Sequence, residues 1–305
     1  MKHTWTVTAL IILLFFVSQI VGLLIMYQYV SEFNHETGEF EFRPLPFGQE
    51  RPDIDPTSSF LPIVIAIIIG TFIALLLVRF KWFIVWKIWF FLAIWITVTI
   101  SLAAFIPSII ALLIALVLAI LKVFRRSIIF HNLTEIFIYA GICAILVPVM
   151  NFLSVVILLV IISIYDFWAV VKSGHMIELA KAQSKLKVFA GLQIPYKMPP
   201  VCSKIKKLKS KVPKNVAKIK IKTKVKSAIL GGGDIAFSLL FAGVSMKYLG
   251  GTNIMLGLQK ALIIPLFTTA TLGYLLYIGK KNKFYPAMPF LTAGSLLGFV
   301  VAFLV

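Results

Sequence analysis

Two aspartates inside apolar segments are the residues of this sequence best suited to do chemistry. Asp166 lies six residues before Lys172, and Asp234 lies eight residues after Lys226. At about 1.5 Å per helical residue, both would lie on the order of 10 Å from the same side of their segments. A carboxylate at that depth in a membrane is costly unless it is paired or faces water. Such a pair therefore calls for a functional explanation.

Two carboxyl groups at matching depth fit more than one chemistry. If they face each other they can share a proton, so that one activates a water as general base while the other donates to a substrate carbonyl and leaving amine. They can equally form the ion site of a proton- or cation-coupled transporter. A third interpretation is two separate, neutral aspartic acids that hydrogen-bond between helices. Placement alone leaves hydrolysis and transport open.

The composition places these residues in a membrane protein. Of the 305 residues, 60% are hydrophobic and 13% are charged, whereas soluble globular chains contain about 25% charged residues. The apolar residues form blocks of about 20 residues, the length of a helix that crosses a bilayer. We predict an all-α polytopic membrane protein with nine transmembrane helices. The spans are residues 5–30, 60–78, 82–106, 107–124, 128–149, 152–171, 228–248, 254–278 and 286–305.

Charge divides the connecting loops into two sets. The loop 31–59 carries seven acidic residues and two arginines, whereas residues 172–226 carry sixteen lysines and one acidic residue. The positive-inside rule makes the basic loops cytoplasmic, so the N-terminus is predicted inside and the C-terminus outside. The chain divides into an N-terminal membrane region of residues 1–171 with helices 1–6, a Lys-rich cytoplasmic loop of residues 172–227, and a C-terminal membrane region of residues 228–305 with helices 7–9.

The Lys-rich loop is predicted to contact anionic membrane lipids. Its first segment, residues 172–189, can form an amphipathic helix at the interface, and Pro195, Pro199 and Pro200 are expected to break regular structure after it. Nucleic acid is not expected as a partner, because binding it would require a soluble fold that the chain does not contain.

Other ionisable residues in the spans have simpler interpretations. Lys87, Lys247 and Lys260 lie near span ends, where a lysine can extend to the membrane surface. His131 and Glu135 lie one turn apart on one helix face and predict a local polar pair or an interhelix hydrogen bond. No His/Cys cluster or phosphate-binding glycine loop is present, so neither metal nor organic cofactor is predicted.

Three short motifs lie in the sixth, seventh and ninth predicted spans. They are Tyr165-Asp166, Gly231-Gly232-Gly233-Asp234 and Pro286-Ala287-Met288-Pro289. They resemble the Tyr-Asp, Gly-x-Gly-Asp and Pro-Ala-Leu motifs of presenilin and signal peptide peptidase, the intramembrane aspartyl proteases. Each motif is short, but their order and their placement in nine spans make the resemblance specific.

The resemblance implies an enzyme that hydrolyses peptide bonds inside transmembrane segments of other proteins. Asp166 and Asp234 would be the catalytic pair, with no cofactor. Substrate-binding positions would be Tyr165, Gly231, Gly232, Gly233, Pro286, Ala287, Met288 and Pro289. Met288 stands where the family has Leu, an exchange that keeps volume and apolarity. The N-inside orientation resembles the presenilin branch and implies single-span membrane-protein substrates and residence in the cell membrane; the oligomeric state stays open.

Residues 218–226 alternate lysine with apolar or threonine residues, the period-2 pattern of a β-strand. Ile219 and Ile221 would lie on its apolar face. A helical substrate must unwind before water can attack its amides, and a strand just ahead of the seventh helix could pair with the unwound segment. We therefore include Ile219 and Ile221 among the substrate-binding residues. The alternative interpretation is a disordered lysine run that happens to alternate.

Overall fold

The structure is a computed structural model that describes residues 5–125, 127–170, 190–197, 225–279 and 285–305. Its helices are α1 Trp5–Tyr29, α2 Phe60–Arg79, α3 Phe83–Ala103, α4 Ser108–Phe124, α5 Ile128–Leu146, α6 Phe152–Trp168, α7 Gly232–Gly250, α8 Ile254–Ala261, α9 Ile263–Ile278 and α10 Met288–Leu304. Its strands are β1 Val30–Asn34, β2 Glu39–Phe42, β3 Gly191–Lys197 and β4 Val225–Gly231. The described chain is thus mostly helical, as the apolar blocks predict.

Several helices are long and apolar enough to cross a bilayer. Five such segments occur among the described residues: Trp5–Tyr29, Phe60–Leu77, Phe83–Ala103, Ile128–Leu146 and Ile254–Ile278. Three shorter apolar helices, α4, α6 and α10, accompany them. The predicted span 254–278 consists of α8 and α9, which meet at Leu262. The architecture is that of a polytopic membrane protein, whereas the count of nine spans and the orientation stay predictions.

The centre of the bundle is formed by α1 and α7. Helix α1 packs against α5, α7 and α9, and α7 also packs against α5, α6 and α10. A methyl group at Gly22 of α1 would overlap the side chain of Leu239 in α7, so the absent side chain permits the close approach of the two helices. Helices α2, α3 and α4 lie to one side, and α2 is largely exposed.

At the end of the bundle away from Asp234, Lys247 binds backbone rather than extending to the surface as predicted. Its Nζ atom donates to the carbonyl oxygens of Val147, Pro148 and Met150 at 3.1, 3.2 and 3.1 Å. These carbonyls belong to the turn after α5, where helical geometry leaves them without an intrahelical donor. The amine thereby joins α7 to the α5–α6 turn.

Strands β3 and β4 correct two sequence-based predictions. They pair antiparallel from Gly191 opposite Gly231 to Lys197 opposite Val225. Pro195 therefore lies within a strand instead of ending regular structure, which a two-stranded sheet tolerates because each strand has an edge. The seventh helix was predicted from residue 228, but it begins at Gly232.

The reason for the later helix start is visible in the burial of β4. Ala228 and Leu230 are buried while Ile229 between them is 48% exposed, the alternation of a strand. The predicted strand 218–226 overlaps the described chain at residues 225 and 226, which belong to β4. Ile219, Ile221 and the predicted interfacial helix 172–189 lie outside the described residues.

Candidate active site

Asp166 lies in the last turn of α6 and is held by the start of α10. The residue is 7% exposed, and its Oδ2 accepts a hydrogen bond from the backbone N–H of Met288 at 3.1 Å. The N–H of Ala287 also donates to this carboxyl group. The first N–H groups of a helix have no intrahelical acceptor, so the N-terminus of α10 supplies donors that fix the carboxyl group.

Asp234 occupies the third position of α7. Gly231 is the N-cap of this helix, and its N–H donates to the Asp234 carboxyl group. An acidic side chain that reaches back to the N-cap N–H is half of the capping-box arrangement. A β-carbon at Gly231 would lie 3.2 Å from Oδ2 of Asp234, which is tight contact. Glycine at this position therefore leaves the carboxyl group room.

The structure brings the two aspartates together from neighbouring helices. Helices α6 and α7 pack against each other, and the Asp166 and Asp234 carboxyl groups are close enough to interact electrostatically. The depth of about 10 Å predicted for Asp234 assumed helix throughout, but β4 occupies residues 225–231 and Asp234 is in the first turn of α7. The pair thus lies where a sheet and two helix ends meet.

The remaining predicted site residues lie around this pair, as far as the structure describes them. Tyr165 precedes Asp166 and is partly buried, and Gly233 precedes Asp234 and is exposed. At the start of α10, Pro286, Ala287 and Pro289 are partly buried, whereas Met288 is 3% exposed. A side chain at Gly233 would meet its nearest described neighbour, Phe237, at 3.6 Å, so the backbone there is accessible to a ligand.

A hydroxyl pair near Asp166 was not predicted. Ser163 Oγ of α6 and Thr292 Oγ1 of α10 lie 2.6 Å apart in a hydrogen bond. Ser163 is one turn before Asp166, and Thr292 is one turn after Met288. The Ser163–Thr292 pair is therefore a second hydrogen bond between α6 and α10, one turn away from the bond between Asp166 and Met288. Small hydroxyl residues at helical spacing from each motif are the only sequence signal, and such residues are common in membrane helices.

The polar residues of α5 form a larger cluster than the predicted pair. His131 Nε2 lies 3.7 Å from Glu135 Oε1, but the closer partners of Glu135 are Lys122 Nζ and the hydroxyl group of Tyr139. Lys122 lies within the predicted span 107–124 but was grouped with the loop cations Arg125 and Arg126; it lies in the last turn of α4 and is buried. The predicted polar pair of His131 and Glu135 is present. The prediction did not include Lys122 and Tyr139, which also bind Glu135.

A helical membrane bundle that joins one aspartate from each of two adjacent helices has the architecture of an intramembrane aspartyl protease. The chain matches the family described as signal-peptide peptidase, presenilin aspartyl protease, over residues 45–305, and it belongs to that family. Its fold is similar to two solved structures, each described as a presenilin family intramembrane aspartate protease.

The first of these structures, in a C222 crystal form, has a TM-score of 0.58 and 18% sequence identity, and the match covers 95% of this chain and 98% of the other. The second, in a P2 form, has a TM-score of 0.55 and 19% identity and covers 97% and 95% of the two chains. At these identities the likeness concerns the fold. A comparison with curated proteins finds no significant match.

Proposed function

We propose that this protein is an intramembrane aspartic endopeptidase that hydrolyses peptide bonds within the transmembrane segments of other membrane proteins. The observation that carries the proposal is that Asp166 and Asp234 lie on α6 and α7, two apolar helices that pack against each other, with the carboxyl groups within electrostatic range. Family membership supports the same reaction class. The cation- or proton-coupled transporter, which also needs intramembrane carboxylates, is not favoured by that membership.

In the proposed mechanism a water molecule lies between the two carboxyl groups. One carboxylate accepts a proton from the water as it attacks the scissile carbonyl carbon. The protonated partner donates a hydrogen bond to the carbonyl oxygen, and a proton then passes to the leaving amine. The pair acts as a unit that shares a proton. The backbone donors at Gly231, Ala287 and Met288 would keep both carboxyl groups oriented through this cycle.

The substrate is proposed to approach on the glycine side of Asp234. Gly233 is exposed and has no side chain, so an extended backbone can come close to the carboxyl group there. Tyr165, Pro286, Ala287 and Pro289 would form the other walls of the binding site, while the backbone N–H of Met288 binds Asp166. Pro286 and Pro289 have no N–H groups, which is tolerated at the start of a helix.

Strand pairing is proposed to hold the unwound part of the substrate. Among the described strands, β4 pairs with β3, and it continues without a break into the helix that carries Asp234. Its other edge could add a substrate strand, whose backbone hydrogen bonds would replace those lost from the substrate helix. In this proposal a continued strand would place Ile219 and Ile221 on the same face as Ile229, opposite the buried face of Ala228 and Leu230.

The proposed orientation has the N-terminus inside and the basic loops facing the cytoplasm of the cell membrane. It rests on the contrast between the acidic loop 31–59 and the basic residues 172–226. In this orientation the aspartate pair lies toward the cytoplasmic side, and the lysines lie beside anionic lipid headgroups. The substrates would be single-span proteins whose N-terminus is outside.

The proposal is tested with purified protein in liposomes that also contain a single-span substrate. Asp166→Asn and Asp234→Asn should each abolish cleavage while leaving the thermal unfolding temperature nearly unchanged, because the amide cannot exchange the proton. Asp53→Asn is the matched control, since Asp53 is exposed and outside the helices. Substantial cleavage by either site variant would contradict the proposal. Ion flux that both site variants abolish would indicate the transporter instead.

A further inference from the structure

Three buried side chains of α4 and α5 form a polar network beside the aspartate pair. Glu135 is fully buried, and the side chains of Glu135 and Lys122 are each 1% exposed in their ion pair. Tyr139, one turn after Glu135, donates its hydroxyl proton to Oε2 of the same carboxylate. Buried charges persist when they are paired and their remaining hydrogen-bonding capacity is used. The phenol of Tyr139 is therefore held at one point in the bundle.

The held phenol lies against the first residue of α7. A β-carbon at Gly232 would overlap the Tyr139 hydroxyl group and come within 2.9 Å of two ring carbons. Tyr139 is also within electrostatic range of Asp234. Gly232 stands at the variable position of the Gly-x-Gly-Asp motif, and in this chain the phenol fills the space that a side chain would take. The position of the first turn of α7 thus depends on where Tyr139 is held.

Helix α5 also binds the sheet that leads into α7. His131 Nε2 is hydrogen-bonded to the carbonyl oxygen of Gly191 at 2.9 Å. Asn132 pairs with the backbone of Gln193 in both directions, at 3.0 and 2.9 Å. These contacts attach β3 to α5, and β3 pairs with β4 up to Gly231. Helix α5 therefore contacts the first residue of α7 through Tyr139 and, through β3, supports the strand that leads into α7.

We propose that Tyr139, held by the Lys122–Glu135 ion pair, is a positioning residue that sets the place of Asp234 relative to Asp166. The inference rests on the proposed function of that pair. Tyr139 would act through the backbone of Gly232 and would not contact the reacting atoms. Loss of the phenol's anchor should let the first turn of α7 shift, and misplacement by about 1 Å can reduce a rate by roughly a hundredfold.

The first test compares two buried tyrosines that each lose a hydroxyl group. Tyr29 is 4% exposed, as is Tyr139, and its hydroxyl donates to the carbonyl oxygen of Ile100 at 2.6 Å. Tyr29 is the last residue of α1, immediately before β1, and is not part of the Tyr139 network. It therefore serves as the matched control. Both Tyr139→Phe and Tyr29→Phe should lower the unfolding temperature similarly. Tyr139→Phe alone should reduce kcat, by about tenfold or more, with KM nearly unchanged.

The second test needs no catalysis. In a background with Cys143→Ala and Cys202→Ser, the double substitution Asp166→Cys and Asp234→Cys gives a pair of thiols whose rate of disulfide formation reports their approach. Adding Tyr139→Phe should slow cross-linking several-fold, while adding Tyr29→Phe should leave the rate unchanged. If the natural chain does not cleave but cross-linking depends on Tyr139, the proposed protease function fails while the positioning role stands.

Two results would overturn the positioning role. One is a cross-linking rate that Tyr139→Phe leaves unchanged. The other is equal loss of kcat in Tyr139→Phe and Tyr29→Phe at equal loss of stability, because a general loosening of the bundle would then explain both.

Discussion

Met288 donates its backbone N–H to Oδ2 of Asp166 across 122 residues of sequence. The donor is a main-chain group at the first position of α10, so the contact does not depend on the side chain at residue 288. The family motif has Leu where this chain has Met, and the structure shows why the exchange can leave the aspartate contact intact. The Met288 side chain itself is buried in the core.

We therefore expect the side chain of Met288 to matter for stability more than for catalysis. Met288→Leu should change the free energy of unfolding by less than about 1.5 kcal/mol, and Met288→Ala should lower it by about 2–5 kcal/mol. Both variants should keep kcat within a few-fold, measured on folded protein in liposomes. An inactive Met288→Leu variant of normal stability would show that the residue contacts substrate.

The Ser163–Thr292 hydrogen bond should support the α6–α10 contact as a pair. Ser163→Ala and Thr292→Val each remove one hydroxyl group and leave the other without its partner, at a cost of about 1–3 kcal/mol. The double variant should be destabilised by less than the sum of the two single variants. Thr292→Ser keeps the hydroxyl group and is the control. Additive effects on the unfolding free energy would show that the two residues act separately.

For the Lys122–Glu135 ion pair, we expect that a second substitution restores the stability lost when the lysine is removed. Lys122→Met should destabilise the protein by about 3–5 kcal/mol, because it leaves a buried carboxylate without its cation. Combining it with Glu135→Gln removes the unpaired charge and keeps an acceptor for Tyr139, so thermal stability and cleavage should recover to a large extent. Thermal unfolding of the two variants decides the outcome. A double variant as unstable as Lys122→Met would argue against charge imbalance as the cause.

The predicted orientation can be measured directly in intact cells. In a cysteine-free background, Glu41→Cys should react with a membrane-impermeant thiol reagent, since Glu41 is exposed in β2 and predicted outside. Lys206→Cys, in the Lys-rich loop beyond the described residues, should react after the membrane is permeabilised. The reverse labelling pattern would invert the orientation and the expected class of substrates.

The helices were accessible to prediction because a bilayer imposes their length and apolarity. Helix α6 begins at the predicted residue 152, and α10 begins within two residues of the predicted start at 286. The strand conformation of residues 228–231 was not predicted, because these apolar residues run directly into α7 and look like part of the same span. This conformation depends on pairing with β3, whose partner residues lie more than thirty positions away along the chain for most of the ladder.

The sequence pointed to the two aspartates of the candidate site but not to the residues that hold them in place. Asp166 and Asp234 stand out because carboxylates are rare in apolar spans. Tyr139, in contrast, is an ordinary residue for a membrane helix, and its role follows from contacts with Gly232 and Glu135 that packing decides. Lys122 precedes Arg125 and Arg126 in sequence, so it looked like one more cation of a loop.

The ion pair between Lys122 of α4 and Glu135 of α5 has a consequence for insertion of the protein into the membrane. During synthesis α4 enters the membrane before α5, and for that interval Lys122 has no carboxylate partner. An unpaired lysine within the hydrocarbon region costs about 2.5–3.5 kcal/mol near the centre of a helix and less toward its end. We therefore expect α4 followed by α5 to insert into microsomes, scored by a glycosylation tag, more efficiently than α4 alone. Lys122→Leu should remove that difference, and if it does not, pairing with Glu135 is not what couples the entry of the two helices into the bilayer.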